Sequence, residues 1–126
     1  MTALNEPLNL GDLLKYEEDC LNYSREQVTV AAGQNLELGS VVARVAATGR
    51  VKRFDPHGTD GTEIPAGILL GATDASLMER DNGLLLARHA IVATHALTWP
   101  AGITAEQKAA AVTALEARGI LIRQSA

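Results

Sequence analysis

The sequence predicts a mostly β, α+β single domain with one helix near its C-terminal end. Three observations carry this. Short runs of β-branched and aliphatic residues recur between glycine and asparagine turn signals over residues 26–97. One segment alone, residues 104–119, has a full helical signature. A chain of 126 residues can bury one core of useful size, but not two.

The elements follow in order. Residues 1–25 carry isolated leucines, among them Leu4, Leu8, Leu10, Leu13 and Leu14, with Asn, Pro and the acidic Glu17, Glu18 and Asp19, and follow neither the strand nor the helix period. A solvated tail would not hold so many leucines and two tyrosines, Tyr16 and Tyr23, so the expectation is a flexible arm, residues 1–24, whose apolar groups are satisfied by a partner. The globular domain then spans residues 25–126. Residues 26–31 read EQVTVA, a strand with Val28 and Val30 on one face. Residues 32–35 are read as a turn; Leu36 and Leu38 alternate around Glu37, and Gly39-Ser40 precedes a second strand, 41–45. A short segment, 50–54, leads into DPHGTDGT, an exposed loop. Residues 64–72 resume apolar character, and Asp81-Asn82-Gly83 reads as a hairpin turn. Residues 84–97 make one or two strands, broken near His89. Thr104 with Gln107 forms a capping box for a helix through Arg118, with Ala105, Ala109, Val112 and Leu115 as its apolar stripe. Gly119 stops it, and ILI at 120–122 is a closing buried strand.

Composition excludes several classes of function. Eleven Lys and Arg against 15 Asp and Glu give a net charge of −4, which offers no footprint for a phosphate backbone or an anionic membrane. The one cysteine, Cys20, can form neither an intrachain disulfide nor a cysteine zinc site, and it suits a reducing compartment. No basic-then-apolar leader opens the sequence and no apolar run approaches membrane-spanning length, so synthesis in the cytoplasm is expected. With aromatics at 3%, the core must be built from small and branched aliphatics, and Trp99 is the largest apolar side chain available to it.

No catalytic or cofactor pattern emerges, and none is expected. His57 between Asp55 and Asp60 resembles a base with carboxylates, but Asp, Pro, His and Gly are also what a solvated turn contains, and no Ser or Cys nucleophile accompanies them. His89 and His95, six residues apart, would sit about 20 Å apart on a continuous strand, too far to share a metal. The glycines around Gly67 and Gly71 lack the lysine of a phosphate loop. The helix is expected to pack on its own sheet.

Four blocks, read together, resemble the bacteriophage head decoration protein family. They are VTVAAGQNLELG at 28–39, DGT at 60–62, AGIL at 66–69, and ALTWPAGIT at 96–104 with the alanine-rich helix and LEARGILIR at 115–123. The last is the most specific, and the similarity runs over about residues 24–123. Lambda-type members are more distant, sharing mainly the Gly-Ile-Leu segment, the Leu-x-Trp-Pro element and a C-terminal helix followed by a strand. The longer leucine-bearing N-terminal segment and the 55–60 loop depart from that pattern.

The resemblance implies a β-clip-like fold, a homotrimer, and binding to the major capsid protein on the outer surface of the expanded head. It implies no enzymatic activity, and places the protein in the virion after synthesis in the host cytoplasm. The arm then becomes the capsid grip, with Leu8, Leu10, Leu13, Leu14, Tyr16 and Tyr23 as its contact residues and Trp99 and Pro100 as core or interface candidates. Two rival readings remain: an unrelated small β-barrel binding module, which predicts a concave ligand site, and an enzyme built on His57.

Overall fold

The computed structural model describes residues 10–17 and 24–124. In chain order these give helix α1 (Leu10–Leu13) and strands β1 (Leu14–Glu17), β2 (Arg25–Val30), β3 (Gln34–Leu36), β4 (Val41–Arg44), β5 (Val51–Arg53), β6 (Pro65–Leu69), β7 (Thr73–Ala75), β8 (Arg80–Leu86) and β9 (Ala90–Ala93). A single 3-10 turn (Thr94–Ala96), helix α2 (Ala105–Ala117) and strand β10 (Ile120–Arg123) follow. The fold is mostly β with one substantial helix near the C-terminus, as the sequence predicts.

Five strands close into a barrel in the order β2-β5-β4-β6-β8, with β8 returning to β2. Closure leaves no free edge among these strands. A three-stranded sheet, β1-β9-β10, stands beside the barrel, and β3 pairs with β7 as a separate ribbon. Adjacent residues of the barrel strands serve two cores. Val42, Leu69 and Leu85 pack inside with Val28, Val30, Leu36 and Val51, whereas Val41, Ile68, Leu70 and Leu86 face outward onto Ala90, Val92, Leu115 and Ile120. A strand buried on both faces reads as an unbroken apolar run rather than an alternation. This is why VV, GILL and LLL have no period in the sequence. Helix α2 lies over β6 and β10 and closes the outer core with Ala111 and Leu115.

Several local expectations hold in detail. Val28 and Val30 share the buried face of β2. Thr104 accepts the Gln107 N–H at 3.1 Å while the Gln107 side chain accepts the Thr104 N–H at 3.0 Å, completing the capping box. Gly119 ends the helix at φ +83°, and the chain breaks between β8 and β9 at His89, which adopts φ +57°.

Three expectations require correction. Gln34 and Asn35 are not turn residues but belong to β3, paired with Ala75 and Asp74. Asp81-Asn82-Gly83 makes no hairpin and lies within β8, opposite β2. Gly83 is there for space, since a Cβ would stand 2.9 Å from Val30 Cγ2 and 3.1 Å from the Val28 carbonyl. The helix buries Ala111 and Leu115 with Val112 partly covered, while Ala105 and Ala109 are exposed. Alanines on every side of α2 leave its buried face open until the partner surface is known.

Candidate functional site

The N-terminal segment enters the structure at α1, and the two leucines of that helix have different fates. Leu10 is exposed, whereas Leu13 is 0% exposed in the outer core with Ala90, Val92 and Leu97. Leu14 packs against the same cluster. The expectation that Leu13 and Leu14 grip a partner is therefore revised: both anchor the segment to its own body, because the outer core would otherwise be open between β9 and the barrel. The arm boundary at residue 24 moves with them, since β1 is already a strand of the body. Leu8 and Tyr23 lie outside the described residues, as does Cys20.

A bulge in β1 decides which way Tyr16 points. Leu14 pairs with Val92 and Tyr16 with Ile91, so Lys15 is the extra residue in β1 opposite a one-residue step of β9. Without it, Leu14 and Tyr16 would share a face, two residues apart on one strand. With it, Leu14 turns inward and Tyr16 outward, 56% exposed. Ile91 pairs in turn with Leu121 of β10. Cross-strand partners stand side by side on one face of a sheet, so Tyr16, Ile91 and Leu121 form an apolar row across the outside of the three-stranded sheet. His89, Ala90 and Gly119 complete a shallow depression of about 300 Å3 there. Sequence reasoning named Tyr16 and missed Ile91 and Leu121. The alternation within ILI at 120–122 carried a signal for Leu121, but the β1 bulge had none.

Beyond Tyr16, the segment is fastened by Glu17. Its carboxylate accepts Arg25 Nε and Nη2, each at 2.7 Å, and Ser24 Oγ at 2.7 Å. The Glu17 side chain is 9% exposed. The Arg25 hydrogen bonds hold its carboxyl below the usual glutamate range, against the opposing effect of burial. Fork-on-fork pairing of this kind fixes direction as well as charge. It ties the end of β1 to the start of β2.

Trp99 packs within its own chain. It is half-buried, meets Phe54 edge-on at 6.5 Å between ring centroids, and carries Lys108 Nζ 5.6 Å above its ring. Pro100 follows at the rim of a neighbouring cleft. The loop that carries His57 is organised as turns. Asp55 Oδ1 accepts the His57 backbone N–H at 2.9 Å, and Asp60 Oδ1 accepts the Thr62 hydroxyl at 2.5 Å and its N–H at 3.3 Å. Both carboxylates are thereby engaged with their own backbone, and the His57 ring reaches Gln107 at 3.5 Å rather than a carboxylate. Among the described residues, no three His, Cys, Asp or Glu side chains come close enough to hold a metal ion. No helix among them is long and apolar enough to cross a membrane.

The arrangement is a small closed barrel flanked by a sheet with an apolar outer row, fed by an N-terminal segment whose first described residue is exposed. Such a molecule presents surfaces rather than reactive groups. The chain belongs to the bacteriophage lambda head decoration protein D family, whose model matches residues 3–120. No curated protein matches it. Membership makes it a structural component of the phage head. The reading as an unrelated barrel module falls away with it.

Proposed function

We propose that this protein is a capsid cement: a homotrimer that binds the major capsid protein at local three-fold sites on the outer surface of the expanded head and holds it against the internal pressure of the packaged genome. It has no enzymatic activity in this reading, requires no cofactor, and is made in the host cytoplasm before joining the virion. A β-clip-like body would carry the trimer contacts. The N-terminal segment would grip the shell, with Leu8, Leu10, Tyr16 and Tyr23 as the contact residues.

The observation that carries this reading is the split fate of the N-terminal residues in a chain of this family. Leu13, Leu14 and Glu17 bind the segment to the body, while Leu10 and Tyr16 are left outward, beside the Ile91–Leu121 row. A segment anchored at one end and apolar at the other is suited to strand addition on a partner, where main-chain hydrogen bonds give affinity and side-chain pockets give specificity. Three such segments on one trimer would act together. Once one engages, the others bind at a high effective concentration, and the trimer leaves slowly.

The test is deletion of residues 1–9, which removes Leu4 and Leu8 but none of the described anchors. Light scattering should give a mass of three chains for both the intact protein and the truncation. The intact protein should sediment with expanded heads of its phage and the truncation should not. A truncation that decorates heads normally would overturn the role given to the segment, and a monomeric intact protein would overturn the trimer.

A further inference from the structure

We infer that Asn82 is a site of spontaneous deamidation, restrained while β8 is paired with β2 and released when that pairing opens. The inference concerns the chemistry of the chain itself and does not depend on how it binds a head. Five asparagines occur in the sequence, and Asn82 alone precedes a glycine; Glu6, Leu10, Tyr23 and Leu36 follow the others. A glycine successor brings no side chain to shield its own backbone nitrogen from the asparagine carboxamide. The fold imposes that glycine, because a Cβ at position 83 would stand 2.9 Å from Val30 Cγ2 and 3.1 Å from the Val28 carbonyl oxygen. Asn82 itself is exposed, so water reaches it and ammonia can leave.

The reaction needs only water and a base from solvent. The Gly83 backbone nitrogen gives up its proton to that base and attacks Asn82 Cγ. The carboxamide nitrogen leaves as ammonia, taking a proton back from solvent, and a succinimide ring closes between the two residues. Water then opens the ring. Cleavage of the new bond from nitrogen to Cγ gives aspartate. Cleavage of the original bond from nitrogen to the main-chain carbonyl carbon gives isoaspartate, in which the backbone runs through Cβ and Cγ and is longer by one atom. Either product adds a negative charge beside Asp81.

The fold withholds the nucleophile. Ala87 N–H donates to the Ser24 carbonyl at 2.8 Å, and the register continues through Arg25–Leu86, Glu26–Leu85 and Gln27–Leu84 to Val28–Gly83. Hydrogen-bonded pairs alternate along an antiparallel ladder, so Val28 and Gly83 form one and the Val28 carbonyl accepts the Gly83 N–H. The guard is local. From Val28 to Val30 β2 advances two residues while β8 runs from Gly83 to Arg80, so the ladder is irregular on the Asn82 side of this pair. Loss of the one pair frees the nitrogen, an opening that costs less than unfolding the barrel. Isoaspartate would lengthen β8 where it already carries one residue more than β2, displacing Arg80 from Val30.

The full-length protein would be incubated in mildly alkaline buffer, with and without concentrated urea, and the products mapped by peptide mass spectrometry with isoaspartate identified by enzymatic methylation. In urea, Asn82 should convert before the other asparagines. In the folded protein its conversion should be at least about tenfold slower, since the rate follows the open population when opening and closing are fast. Equal rates in the two conditions would overturn the guarding role of the β8–β2 pairing, and prior conversion of another asparagine in urea would overturn the site. Chains carrying isoaspartate at 82, returned to native buffer, should show a lower urea midpoint than the unmodified protein. The Asn82→Asp variant, which has the charge without the extra backbone atom, should keep the original midpoint. A wild-type midpoint for the isoaspartate chains, or an equal fall in Asn82→Asp, would overturn the displacement of Arg80. The incubation needs no heads, so its failure is distinct from failure of the N-terminal grip.

Discussion

Glu17 shows how one side chain can fix the course of a segment. Three donors converge on its carboxylate, so it prefers the charged form more strongly in the folded protein than in the unfolded chain. Its ordinary pKa is 4.5 and its folded pKa is lower. The stabilisation is therefore fully present above about pH 4.5 and is lost as pH falls through the lower folded value. Glu17→Gln keeps the shape and removes the charge. It should cost about 1.5–3 kcal/mol at neutral pH, the range for hydrogen bonds to a charged group. The gap to the wild type in urea denaturation should shrink as pH falls below about 4.5 and through the lower folded value. A gap that does not change with pH would show that the charge is not what the clasp uses.

At the scale of the element, the barrel depends on two glycines that allow strands to approach. A Cβ at Gly67 would stand 2.3 Å from the Leu86 carbonyl oxygen of the paired strand β8, a backbone atom that cannot yield without separating the strands. At Gly83 the nearest atom is a Val30 methyl at 2.9 Å, on a side chain that can shift a little. Both Gly67→Ala and Gly83→Ala should destabilise, Gly83→Ala by about 1–3 kcal/mol as overpacked cores do, and Gly67→Ala by more. Equal thermal midpoints for the two variants would contradict this ordering. The same element explains a misleading signal. Asp-Asn-Gly favours a hairpin because each residue accepts positive φ, yet here the glycine is selected by crowding from β2, and Asp81 offers its carbonyl to the Gln27 side chain at 2.8 Å.

Over the whole molecule, the N-terminal segment belongs partly to the body and partly to whatever the body binds, and truncation should find the border. Removing residues 1–9 should change stability little. Removing residues 1–19 would take Leu13 out of the outer core and strip β1 from β9, costing at least the ~2–5 kcal/mol typical of a deleted core leucine. Denaturant midpoints of the two truncations should therefore differ sharply. Similar midpoints would mean that α1 and β1 contribute nothing to the fold. For tests of head binding this border matters, because a truncation beyond Leu13 confounds lost contact with lost folding.

By itself, the sequence determined the mostly β class, the helix with both of its ends, the break at His89 and the family. These are local or additive properties: capping needs only Thr104 and Gln107 three residues apart, a terminal glycine needs only its own φ, and a family pattern is a sum over ordered short blocks. What only the tertiary structure decided is which face each apolar residue serves. Two-sided burial removes the period from β4, β6 and β8, and alanines around α2 allow several buried faces. One bulge at Lys15 then separates Leu14 from Tyr16, sending the first to the core and the second to the surface. Orientation there depends on the register with β9, a strand some 75 residues away in the chain, and no window of neighbouring residues contains that information.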